Sequence, residues 1–110
     1  MARILVVAPN SDFRHSLQFA LESEGYEVTA TESLANSAAT EAEVTVIDHH
    51  ALGKDQDAAI AFVTAHQPVV LLANARAHAL SPWAFRTVMK PMLGDSLSGA
   101  VRQAIETGAH

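Results

Sequence analysis

Residues 4–12 of the chain read ILVVAPNSD, an apolar run that ends in turn-type residues. An apolar run this short, followed by an amphipathic pattern, predicts a buried parallel strand that leads into a helix. Ser11 is expected to cap this helix, and Asp12 suits its positive N-terminal end. Gly25 stands where a helix can end in a left-handed residue. The apolar stripe of the helix consists of Phe13, Leu17, Ala20 and Leu21.

The alternation of short apolar runs and helical patterns continues to the end of the chain. Further strands are predicted at residues 26–29, 44–47, 69–72 and 87–89. Further helices are predicted from Thr31 or Ser33 to residue 39, from Asp55 or Asp57 to Pro68, and from Gly94 to Gly108. Residues 74–87 fit no clean period and contain Pro82, so the fourth helix is expected to be shortened or irregular. This pattern predicts an α/β, flavodoxin-like, doubly wound parallel sheet with strand order 2-1-3-4-5.

Size, composition and charge narrow the functional classes. A chain of 110 residues fits one domain, residues 1–110, and it has no cysteine for disulfide or thiolate chemistry. The net charge of −5 argues against binding to a nucleic-acid backbone, which needs a basic stripe. No segment approaches the roughly 20 apolar residues of a membrane span. We therefore expect a cytoplasmic protein that binds neither nucleic acid nor membrane.

The residues that can carry chemistry lie at the carboxyl ends of the predicted strands, where open parallel sheets place their functional groups. Ala8 and Pro9 follow the first strand, Asp48 follows the third, Ala73 the fourth and Lys90 the fifth. This order and spacing resemble the receiver domain of bacterial response regulators. The resemblance implies that Asp48 is equivalent to the family's phosphoacceptor. It also implies that Lys90, which precedes a proline, is equivalent to the family's conserved lysine.

The resemblance also implies that several parts of the usual site are missing. The family's first strand normally ends in two acidic residues that hold a magnesium ion, and here Ala8 and Pro9 occupy those places. The family's hydroxyl position is Ala73, and its aromatic switch position is Thr87. We therefore expect a degenerate pseudo-receiver of two-component (phosphorelay) signalling, with no metal, no cofactor and no enzymatic activity. Such a domain would act by protein–protein interaction.

The expected partner is a histidine kinase, a regulator or a second copy of the chain, which would form a homodimer. In receivers, partners usually bind the face built from the fourth helix, the fifth strand and the fifth helix. The candidate residues of that face are the apolar Leu80 and Trp83 and the rim charges Arg86 and Arg102. Packing in place of the shortened helix is the alternative for Leu80, Trp83 and Phe85; it is favoured for Phe85, whereas partial exposure is favoured for Trp83.

Other titratable residues near the predicted edge have alternative interpretations. Asp48 and Lys90 are expected to form a structural ion pair. Asp12 is disfavoured as a replacement metal ligand, because it lies inside the first turn of the helix. His49 and His50 adjoin Asp48, but neighbours in an extended chain point to opposite faces, so a shared metal is not predicted. Either imidazole near Asp48 would make the site sensitive to pH.

Two other functions are compatible with the same sequence features. The first is a receiver that is phosphorylated at Asp48 by an atypical route. The second is a flavodoxin-like domain that binds a small ligand at the same edge of the sheet.

Overall fold

A computed structural model describes residues 2–32, 42–51, 56–65, 68–73, 84, 86–89 and 96–108. The strands are β1 (Arg3–Val7), β2 (Glu27–Thr31), β3 (Val44–Asp48), β4 (Val69–Ala73) and β5 (Arg86–Met89). The helices within these residues are α1 (Ser11–Ser23), α2 (Gln56–Ala65) and α3 (Ser96–Gly108). A single 3-10 turn, His49–Ala51, directly follows β3. None of the helices in these segments is long and apolar enough to span a membrane.

All five strands are parallel and form one sheet in the order β2-β1-β3-β4-β5. This observation confirms the flavodoxin-like topology that the sequence predicted. The topology places β1 and β3 side by side at the centre, where Val7 pairs with Ile47. The next residues along these strands, Ala8 and Asp48, therefore lie beside each other at this edge of the sheet. The carboxyl end of this central strand pair positions the candidate site.

Two apolar layers cover the two faces of the sheet. On one face, α1 contributes Leu17 and Leu21, and α3 contributes Val101 and Ala104. On the other face, α2 contributes Ala59 and Val63. Successive strand residues alternate between the layers, so Ile4, Val6 and Ala8 face α1 and α3, and Leu5 and Val7 face α2. Strands buried on both sides explain the continuous apolar runs of the sequence.

Helix α1 differs from the sequence prediction at its start. The N-cap is Asn10 rather than Ser11, because the Asn10 side chain accepts a hydrogen bond from the Phe13 amide at 2.9 Å. Ala20, which was placed on the apolar stripe, is exposed. Gly25 has φ of 95°, so the predicted left-handed residue after the helix is confirmed.

The remaining differences concern the other helix boundaries. The sequence offered Thr31 or Ser33 as the start of a second helix. Thr31 is instead the last residue of β2. Helix α2 begins at Gln56, with Asp57 in its first turn. The predicted second helix at residues 33–39 and the shortened fourth helix within 74–83 lie outside the described residues.

Candidate functional site

The end of β1 carries no carboxylate, and a guanidinium group lies over it instead. Ala8 is fully buried and Pro9 is exposed, and neither side chain has an oxygen atom. Arg14, from the first turns of α1, reaches back to this point. Its Nη1 donates to the carbonyl oxygen of Ala8 at 2.9 Å and lies 3.3 Å from that of Pro9. The backbone acceptors at the end of β1 are thus engaged by a permanent cation of the chain.

The physical reason for this contact lies in the position of Arg14. The start of a helix carries a partial positive charge, which makes a cation there unfavourable. Two carbonyl oxygens at the end of the neighbouring strand offer the guanidinium compensating acceptors, because charged donors form stronger hydrogen bonds than neutral ones. Half-burial of Arg14 beside the sheet strengthens the contact relative to an exposed one.

Asp48 ends β3 and is buried, with its side chain only 2% exposed. Its Oδ1 accepts a hydrogen bond from the backbone amide of His50 at 3.2 Å. This bond, from a side chain to the amide two residues ahead, is an Asx-type turn that fixes the carboxylate. The same oxygen lies 3.4 Å from Nδ1 of His50. Asp48 is also paired with Leu72 of β4 in the sheet register, so it lies between β1 and β4.

The structure corrects the expected geometry of His49 and His50. The expectation assumed an extended chain, in which neighbouring side chains point apart. A 3-10 turn starts at His49 instead, and its tight winding brings the two imidazole rings together. Their centroids are 4.0 Å apart, with 35° between the ring planes. One ligand atom from each of Asp48, His49 and His50 lies within 4.8 Å of the others.

Of the other predicted site positions, Ala73 and Thr87 lie within the described residues and Lys90 does not. Ala73 is fully buried at the end of β4. Thr87 is half-buried in β5, where it pairs with Leu71. Lys90 lies outside the described residues, so the predicted Asp48–Lys90 ion pair stays a prediction.

Solved structures that share this fold include receiver domains. A response regulator receiver domain protein from Clostridium thermocellum has a TM-score of 0.79 and 23% identity, covering 99% of this chain and 98% of that one. The response regulator TrrA from Thermotoga maritima, in complex with Mg²⁺ and BeF, has a TM-score of 0.79 and 24% identity, covering 94% and 99%. The receiver domain of a signal transduction histidine kinase from Syntrophus aciditrophicus has a TM-score of 0.80 and 18% identity, covering 97% and 92%.

The sequence comparison decides the family. No family model matches the chain. The transcriptional regulator protein FixT from Rhizobium meliloti strain 1021 is 30% identical over 105 residues, which make up 93% of this chain and 91% of FixT. The chain belongs to the same family as FixT, and its fold is that of the receiver domains.

The receiver fold implies a magnesium ion, for which the described residues offer few suitable ligands. Mg²⁺ dehydrates reluctantly and is usually held by one or two carboxylates with close to octahedral geometry. The end of β1 supplies no carboxylate, and the Arg14 guanidinium places positive charge beside it. Asp12 is exposed in the first turn of α1, and no contact joins it to Asp48 among the described residues. This receiver therefore does not fit a magnesium ion in the usual manner.

The predicted interaction face is described only in part. Leu80, Trp83 and Phe85 lie outside the described residues, and only the backbone of Arg86 is described. Arg102 is exposed on α3, as a rim charge requires.

Two residues that sequence reasoning missed are Arg14 and Phe19. A cation in the first turns of a helix is a signal that an acceptor group lies nearby, and this signal singles out Arg14. Phe19 is 76% exposed on α1, the most exposed large apolar side chain among the described residues. No sequence pattern marked Phe19, since its exposure depends on which face of α1 packs on the sheet.

Proposed function

We propose that this receiver domain acts in two-component signalling without being phosphorylated, by binding a protein partner. The observation that carries the proposal is the contact of Arg14 with the carbonyl oxygens of Ala8 and Pro9. In receivers, this end of β1 normally provides the acidic pair for magnesium. Here the chain provides two side chains without oxygen and a fixed cation of its own.

Phosphoryl transfer to an aspartate depends on positioning and on neutralisation of the charge of the phosphoryl oxygens. In receivers a magnesium ion supplies much of that neutralisation. Arg14 is a poor substitute, because its Nη1 already donates to backbone carbonyls and is not directed at an incoming phosphoryl group. The lost metal ligands therefore remove the main electrostatic contribution to the reaction.

Access to Asp48 supports the same conclusion. Its side chain is almost completely buried, and its Oδ1 is held by the His50 amide, with the His50 ring 3.4 Å away. A carboxylate that attacks a phosphodonor must reach the phosphorus atom in line with the leaving group. With only 2% of its side chain exposed, Asp48 offers little room for that approach.

The relay of a phosphorylation signal also lacks its usual parts. In receivers a hydroxyl at the end of β4 and an aromatic residue in β5 connect the phosphoryl group to the interaction face. The corresponding residues here are a fully buried alanine, Ala73, and a half-buried threonine, Thr87. Without a two-state element, the face stays in one state and partner binding is constitutive.

The partner is a histidine kinase, a regulator or a second copy of this chain. FixT carries the name of a transcriptional regulator protein, which supports a regulatory role. A net charge of −5 favours a protein partner over nucleic acid. A cytoplasmic location belongs to this proposal, and so does a role as a binding module that catalyses no reaction.

Capture of partners from the source organism tests the proposal. Tagged wild type and Asp48→Asn are used as baits, each with and without acetyl phosphate and Mg²⁺, and captured proteins are identified by mass spectrometry. We expect the same two-component protein in all four samples. Capture that requires the phosphodonor and disappears with Asp48→Asn would contradict the proposal and favour an atypically phosphorylated receiver.

A further inference from the structure

Asp48, His49 and His50 form a group of side chains that could hold a metal ion, a role that the proposed function does not assign to them. Three consecutive residues contribute it, at the point where β3 passes into the 3-10 turn. One ligand atom from each residue lies within 4.8 Å of the others. The tight turn is the cause, since it places side chains on one side that an extended chain would separate.

The spacing of these atoms is close to that of a metal site. Bonds of about 2.0–2.2 Å at tetrahedral angles put two ligand atoms roughly 3.4 Å apart. Nδ1 of His50 and Oδ1 of Asp48 are 3.4 Å apart already. The remaining separations are at most 4.8 Å, so a ring must rotate to bring these atoms onto one ion. The His50 side chain is 62% exposed and free to make that rotation, because the terminal torsion of histidine is broad.

The carboxylate of this group is held in place before any ion arrives. Asp48 is buried, and the His50 amide donates to its Oδ1 at 3.2 Å. Supporting hydrogen bonds of this kind orient metal ligands and raise affinity. The exposed His50 side chain leaves an open approach from solvent.

The kind of ion follows from the ligands. Two imidazoles and one carboxylate suit zinc, nickel or copper, whereas Mg²⁺ prefers oxygen ligands. Three protein ligands leave a fourth position for water or for a side chain of a partner. We propose that Asp48, His49 and His50 together bind one divalent transition-metal ion of the zinc class. This site uses the free carboxylate of Asp48, so it rests on the proposed function, in which Asp48 carries no phosphoryl group, but not on which partner the domain binds.

Zinc titration of the full chain tests the site. The protein is produced without a histidine tag and freed of metal, and Zn²⁺ alone is added in a calorimeter. Co²⁺ serves as a second probe, because its visible absorption reports coordination by protein ligands. We expect one Zn²⁺ per chain at micromolar concentration, and no comparable heat with Mg²⁺.

Two variants decide the assignment. His50→Ala removes an exposed ligand with little risk to folding, and we expect it to weaken Zn²⁺ binding by at least about tenfold. His15→Ala, on the exposed surface of α1, is the matched control and is expected to bind like wild type. The proposal is overturned if His50→Ala binds Zn²⁺ like wild type, if His15→Ala removes binding, or if wild type shows no saturable binding. In that last case Asp48 and His50 form only a hydrogen-bonded pair.

Discussion

The guanidinium Nη1 of Arg14 lies 2.9 Å from the carbonyl oxygen of Ala8, at the end of the strand where receivers normally carry acidic metal ligands. The contact joins the first turns of α1 to the central strand β1. A cation of the chain itself, the Arg14 guanidinium, therefore lies at the end of this strand. Asp48 ends the neighbouring strand, β3. The strand beside it thus ends at a positive group, where receivers normally have carboxylates.

Removing the Arg14 side chain is expected to destabilise the fold. Arg14→Ala removes contacts to two carbonyl oxygens in a half-buried position, so we expect a loss of about 1–2 kcal/mol in the free energy of unfolding. Arg102→Ala, exposed on α3, is the control and should change stability by less than about 0.5 kcal/mol. Urea denaturation measures both values. Equal stabilities of the two variants would show that the Arg14 contact has no energetic role.

Magnesium should not bind at this site. We expect no saturable change in the amide chemical shifts around Asp48 up to millimolar Mg²⁺, because the end of β1 offers no carboxylate and carries the Arg14 guanidinium instead. A double variant, Pro9→Asp with Arg14→Ala, restores a carboxylate and removes the guanidinium, and it should gain Mg²⁺ affinity. A millimolar or tighter Mg²⁺ site in wild type, centred on Asp48, would refute this account of the site.

Asp48 and Lys90 are expected to interact, as the sequence predicts. Asp48 is buried, so loss of its charge partner should cost on the order of 3 kcal/mol. Lys90→Ala and Asp48→Ala should each lower the free energy of unfolding, and the double variant should lose less than their sum. Denaturant melts of the four proteins measure the coupling. Additive losses would mean that the two residues do not interact.

Partner binding or self-association is expected to depend on Trp83. A buried aromatic anchor at an interface typically contributes more than about 1 kcal/mol, so Trp83→Ala should weaken binding by that amount and leave the fold intact. Pull-down assays and analytical ultracentrifugation measure the effect. Glu22→Ala, on the exposed side of α1, is the control. If Trp83→Ala binds like wild type while Glu22→Ala or Phe19→Ala does not, the interface lies on α1.

Sequence patterns were sufficient for the sheet but not for the details of its edge. Buried parallel strands require apolar residues on both faces, so continuous apolar runs such as residues 44–47 identified the strands. The helices that alternate with these strands then predicted the strand order. The cap of α1 was misplaced by one residue, because Asn10 and Ser11 are both good caps and only the backbone conformation separates them.

The misjudged parts of the site depend on local geometry that residue types do not determine. His49 and His50 come together because the chain winds into a 3-10 turn directly after β3. Nothing in the apolar pattern distinguishes that turn from an extended loop. The groups that the long Arg14 side chain reaches depend on the angle at which α1 packs on the sheet. The hydrophobic periodicity of the sequence does not predict that angle.

Intact mass spectrometry after incubation with acetyl phosphate and Mg²⁺ tests the central claim most directly. The account predicts that wild type at neutral pH carries no phosphate adduct, because the metal ligands are missing and Asp48 is buried. Asp48→Asn serves as the control, and neither protein should gain the mass of a phosphate group. A phosphate adduct on wild type that is absent from Asp48→Asn would contradict the claim that this domain works without phosphorylation.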